Sequence, residues 1–161
     1  MRVIAWILII VALYCVVLML TPAEAEDANA WVLCKPGSNV NVHVGPSKGS
    51  TVVAYCECGD ELITDGKKSG DWVHIVNGWC DHDGWIHKGY VSDSQVVIEP
   101  FDGFGYLKAR IRNRIGGKMI GTLKKGEAVK VYAYAIGWDG WAVTNKGYVM
   151  ARYLDDGLGG M

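Results

Sequence analysis

Residues 119–131 read MIGTLKKGEAVKV, and residues 52–64 read VVAYCECGDELIT. Sliding the chain by 67 residues lays the second stretch over the first. Met119-Ile120 then falls on Val52-Val53, Gly126-Glu127 on Gly59-Asp60, and Val129 on Leu62. Read outward, the match runs back without a gap to Tyr106-Leu107-Lys108-Ala109-Arg110-Ile111 over Asn39-Val40-Asn41-Val42-His43-Val44. Read forward, Trp141-Ala142 matches Trp72-Val73 after a small insertion, and GYVMARYL (147–154) matches GWIHKGYV (84–91) after a loop that is longer in the first copy. A phrase recurring in this way marks a repeated structural unit, here of about sixty residues.

Within each copy apolar residues alternate with polar ones: Val40/Val42/Val44, Leu107/Ala109/Ile111, Val129/Val131. Period-two alternation rich in β-branched residues predicts half-buried strands. Turn formers separate them at Gly45-Pro46-Ser47, Asp65-Gly66, Gly116-Gly117, Lys125-Gly126 and Asp139-Gly140. Strands this short and closely spaced predict an all-β fold of two tandem small barrels, whose closure would leave no exposed strand edge.

The chain of 161 residues opens with an apolar run from Val3 to Leu20, preceded by Arg2 and followed by T-P-A-E-A. That order predicts a secretory signal over residues 1–25, cut after Ala25. The run is also long enough to stay as an uncleaved anchor. A lipoprotein acylated at Cys15 is set aside, because the bulky Tyr14 stands where a small residue is wanted. Either way the remainder is expected outside the cytoplasm, secreted or in the cell envelope, touching membrane only through residues 3–20 if the leader stays. The expected division is 1–25 leader, 26–93 first barrel and 94–161 second barrel, with the boundary in the polar run at Ser92-Asp93-Ser94-Gln95.

The residues of each copy resemble the bacterial SH3 domain. Val40-Asn41-Val42-His43 before Gly45-Pro46-Ser47 is similar to its strand-and-turn signature, in which an arginine often takes the His43 position. The gapless alignment puts Arg110 there in the second copy. Ile120 to Val131 resembles the family's second strand, turn and third strand, and the paired Trp72/Trp141 and Tyr90/Tyr153 segments resemble its closing elements. The second copy departs from the pattern with Arg112-Asn113-Arg114 where Gly-Pro-Ser is usual. The resemblance implies an SH3-like barrel and an accessory, non-enzymatic role beside wall hydrolases, holding peptidoglycan peptide or glycan. A protein–protein module at the cell surface or in a phage-related assembly is the alternative.

Four cysteines follow the leader: Cys34, Cys56, Cys58 and Cys80. An even count outside the cytoplasm favours disulfides, and three pairings are open. Cys56 aligns with Leu123 and is expected in the core, while Cys58 aligns with Lys125 and is expected at a turn; bridging these two along one strand is awkward. A cysteine hydrolase would need a thiolate paired with an oriented histidine, and the sequence offers no strand-to-helix setting for one. Cys80-Asp81-His82-Asp83 near His87 matches no ordinary zinc spacing. No catalytic residue, metal, cofactor or nucleic-acid partner is therefore expected.

Trp72, Trp85, Trp141 and Tyr148 recur between copies and read as structural. Trp79 and Trp138 have no counterpart and sit in Gly-rich loops, so they are candidate ligand platforms, with Tyr55 and Tyr134 as further candidate rings. Charge is divided unevenly: residues 26–98 balance at −5 and residues 99–161 at +4. Lys108, Arg110, Arg112 and Arg114 alternate along an extended segment and are expected on one face. Such a ribbon could hold an anionic polymer, serve as a solvated face that discourages edge pairing, or dock on the acidic copy.

Overall fold

The computed structural model describes residues 28–76, 82–137 and 139–155. The expected leader and the loop candidates Trp79, Cys80 and Trp138 lie outside these residues. The described chain is all-β apart from two short 3-10 turns, Lys88–Tyr90 and Ala151–Tyr153. Among the described residues no helix is long and apolar enough to cross a membrane.

The first seven strands are β1 (Ala28–Val32), β2 (Val40–His43), β3 (Val52–Cys56), β4 (Glu61–Ser69), β5 (Trp72–Ile75), β6 (Gly84–His87) and β7 (Val91–Ser92). They pair in the order β3-β2-β6-β5-β4-β1-β7. After β8 (Val96–Val97) come β9 (Phe101–Gly105), β10 (Ala109–Arg112), β11 (Met119–Leu123), β12 (Ala128–Ala135), β13 (Trp141–Thr144), β14 (Gly147–Met150) and β15 (Leu154–Asp155). Their order, β11-β10-β14-β13-β12-β9-β15, repeats the first sheet strand for strand, with β8 added on β12. Among the described residues no pairing joins the end strands β3 and β7, or β11 and β15, into a closed ring.

The gapless alignment does not survive in three dimensions. In the first sheet Val40 faces Cys56, Val42 faces Ala54 and His43 faces Val52 across a bulge. In the second, Ala109 faces Leu123, Ile111 faces Gly121 and Arg112 faces Met119 across the same bulge. β3 and β11 keep the 67-residue spacing, whereas β10 has slipped two residues further along. Arg112, not Arg110, therefore occupies the His43 position. The connection is correspondingly shorter, 113–118 against 44–51. A slip of two leaves every side chain on its original face, so hydrophobic alternation could not reveal it. Glycine packing confirms the new register. A Cβ on Gly84 would come within 2.6 Å of Val42 Cγ1 and 2.8 Å of His43 O, and one on Gly147 within 2.9 Å of Ile111 Cγ2 and 2.7 Å of Arg112 O.

Inward-facing residues build the core. Leu62, Ile75 and Ile86 are fully buried in the first sheet, and Leu123, Val131 and Val149 in the second. Each such side chain contributes about 1.5–3 kcal/mol relative to exposure. Cys56 and Leu123 are both fully buried, as their alignment implied, and Cys58 lies at a turn as expected, buried there. The two halves also share packing. Val96, Ala133, Ala135, Val143 and Tyr148 join the same apolar cluster as Val32, Leu33 and Cys34. Tyr148 Oη donates to Leu33 O at 3.2 Å, and Ile115 N–H to Gly89 O at 3.1 Å.

Candidate functional site

Four ring-bearing residues line up where β2, β5, β6 and the first 3-10 turn converge. His43 meets Trp72 edge-on at 5.1 Å between centroids, Trp72 meets His87 at 5.5 Å, and His87 meets Tyr90 at 6.1 Å. Local structure fixes each histidine. His43 sits at the β2 bulge, and its Nδ1–H donates to Ser50 O at 2.9 Å, since a carbonyl can only accept. His87 caps the 3-10 turn, its Nδ1 accepting the Gly89 N–H at 3.0 Å. Its proton in the neutral form therefore rides on Nε2. Burial, and next the Arg114 guanidinium, lower the His87 pKa from its ordinary value. At pH 7 it is a neutral N–H donor.

These rings form one wall of a cleft of about 520 Å³ between the two halves. Asn39 and Asn41 flank it, and Lys48 rides on a loop tied down by Ser50, whose Oγ lies 2.7 Å from Gly45 O. The second half supplies Asn113, Arg114 and Tyr148. The cleft carries Lys35, Lys48 and Arg114, and among the described residues no carboxylate lines it. A pocket of this size with a few convergent polar groups suits a small ligand or one end of a polymer.

A second groove, of about 400 Å³, is lined by Lys108, Ala109, Arg110, Arg112, Gly116, Trp141, Met150 and Tyr153. With the corrected register it is the same groove on the second sheet: Arg110 replaces Asn41, Arg112 replaces His43, Trp141 replaces Trp72, Met150 replaces His87 and Tyr153 replaces Tyr90.

The expected basic ribbon thus divides. Lys108, Arg110 and Arg112 stay at the second groove, with Arg112 donating to Gly117 O at 2.6 Å. Arg114 crosses to the first cleft and packs on Gly89 so closely that a Cβ there would overlap its side chain. The reason is the bulge, which ends regular alternation after Ile111. Of the other candidate residues, Tyr55 is exposed on β3, and Tyr134 is half-buried edge-on to Phe101 at 6.0 Å; neither lines these two grooves. Sequence reasoning missed His43, His87, Trp72 and Tyr90 as site residues. Trp72 recurs between copies and was read as structural alone, yet its edge belongs to both core and cleft.

Cys34 also lines the cleft. Cys34 and Cys58 are buried free thiols, with Cys58 Sγ donating to Cys34 O at 2.8 Å. The Cys58 hydrogen bond, then burial, with Asp60 and Glu57 nearby, push the Cys34 thiol far up and keep it protonated. Among the described residues no three His, Cys, Asp or Glu stand together as metal ligands.

Residues 38–92 match the family model of the bacterial SH3 domain. The SH3 match runs from just before β2 through β7, and so takes in His43, Trp72, His87 and Tyr90. Among solved structures, the chain is similar to NlpC2 from Trichomonas vaginalis at 15% identity and a TM-score of 0.33, over 83% of this chain and 49% of that one. It is also similar to NlpC1 from Trichomonas vaginalis at 14% identity and a TM-score of 0.33, over 84% of this chain and 48% of that one. The chain spans about half the length of both. No curated protein matches it.

Proposed function

We propose that this is an extracytoplasmic, non-enzymatic binding protein, a tandem of two SH3-like units that holds cell-wall peptide or glycan in the cleft between them. One observation carries the reading: the aromatic wall of the SH3-matched segment is completed by Arg114 and Tyr148 from the other half. A ligand carboxylate would meet Arg114 and Lys48, with no competing acid among the described residues. Its amide or sugar groups would meet Asn41 and the His87 Nε2–H, and its apolar parts the edge of Trp72.

Co-sedimentation with purified peptidoglycan sacculi tests the proposal. The protein should pellet with sacculi, and Arg114→Gln with Lys48→Gln should weaken binding about tenfold without lowering thermal stability. No pelleting at any salt concentration would overturn it. The second reading, a protein partner, is favoured by exposed Tyr55 on edge strand β3 and by Met119 and Ile120 on edge strand β11. Stoichiometric capture of one envelope protein by the R114Q/K48Q double variant would support that reading instead.

A further inference from the structure

The geometry points to a second binding site: we infer that the groove formed by Lys108, Arg110, Arg112, Trp141 and Tyr153 binds an acidic saccharide. The argument starts from the corrected register. The two sheets repeat one strand order, and the two grooves place an aromatic pair at equivalent positions, Trp72 with Tyr90 and Trp141 with Tyr153. On the strand beside that pair two asparagines and a histidine give way to three cations, while Met150 takes the place of His87. Asn39, Asn41 and His43 of the first groove become Lys108, Arg110 and Arg112 in the second.

Those cations are not spent on structure. Lys108 and Arg110 are exposed and have no ion-pair or hydrogen-bond partner among the described residues. Arg112 gives one N–H to Gly117 O, which orients its guanidinium and leaves other donors available. Among the described residues no carboxylate lines the groove. The nearby Arg152 is already satisfied by Asp139 at 2.9 Å and lies over the Tyr153 ring at 5.4 Å, which fixes that ring in place. A fixed arginine with open donors takes carboxylate or phosphate oxygens, and the free Lys108 and Arg110 add charge beside it. The half-buried rings of Trp141 and Tyr153 offer apolar faces beside them. A cavity of about 400 Å³ holds one or two rings rather than a continuous track of bases. Together these features select a sugar ring bearing an anionic group. The source of the anion, a uronic or lactyl carboxylate or a phosphate ester, is the same chemistry to this groove. The inference does not depend on what fills the first cleft.

Tryptophan fluorescence titration of the full chain provides the test, with oligogalacturonate as the carboxylate probe, phosphorylated oligomannose as the phosphate probe, and neutral oligomannose and oligo-dT as comparators. At least one acidic saccharide should bind, and raising salt from about 50 to about 500 mM should weaken it about tenfold. The Lys108→Gln/Arg110→Gln double variant, changed only at exposed positions, should lose about tenfold in affinity for that probe. The same variant should keep its binding to sacculi through the first cleft, while R114Q/K48Q should keep the saccharide. Absence of binding by both acidic probes would overturn the inference. So would equal affinity for neutral oligomannose, tighter binding of oligo-dT, or an affinity unchanged by salt or by the double variant.

Discussion

The hydrogen bond from Gly89 N–H to His87 Nδ1 exists only while that nitrogen is unprotonated. Burial and Arg114 depress the folded-state pKa of His87, so the unfolded chain takes up the proton first. The stabilisation is complete above the ordinary histidine value of about 6.5 and is lost as pH falls through the depressed folded value. Melting temperature should therefore hold between about pH 8 and 7 and decline between about 6.5 and 5. His87→Met, which installs the side chain found at Met150, should remove that decline. A separate loss should remain at lower pH, where Asp65 protonates; the Lys67 hydrogen bond, with help from His74, holds its pKa at about 2. Cys34 gives a second residue-scale expectation. In the reduced protein, iodoacetamide should modify it about a hundredfold more slowly in the native state than in urea, because both burial and protonation protect it. Equal rates would remove the buried-thiol description.

At the scale of elements, a recurring glycine is what lets β2 approach β6, and β10 approach β14. Gly147 combines this close approach with a φ of 129° that side chains rarely adopt. Gly147→Ala should therefore cost about 1–3 kcal/mol in urea unfolding, and more than Gly84→Ala, which meets the close contact without the unfavourable φ. Comparable costs would mean that the backbone conformation adds nothing at Gly147. The strands themselves were legible. Val129/Val131 and Val40/Val42 alternate as β12 and β2 require, and Lys125-Gly126 turns between β11 and β12 with Gly126 at φ 75°. The position of β10 was not legible, since Leu107/Ala109 and Ala109/Ile111 satisfy the same period equally well. Only hydrogen bonding to β11 and the approach of Gly147 choose between them.

Over the whole molecule, shared packing and the Tyr148–Leu33 hydrogen bond join the halves. Calorimetry should accordingly show one cooperative transition rather than two. Tyr148→Phe should lower stability by about 0.5–1.5 kcal/mol, the worth of one buried hydrogen bond. Two resolved transitions in the unmodified protein would mean that the halves unfold independently. The sequence by itself determined the all-β character, the repeated order of motifs and the uneven charge of the two halves. These follow from local alternation, turn chemistry and composition, which each segment carries regardless of its neighbours. Tertiary structure alone decided the two-residue slip, the crossing of Arg114 into the first cleft, the approach of Cys34 to Cys58, and the equivalence of two aromatic-walled grooves. Each of these depends on contacts between segments distant in the chain, and a pattern of period two is unchanged by an even shift.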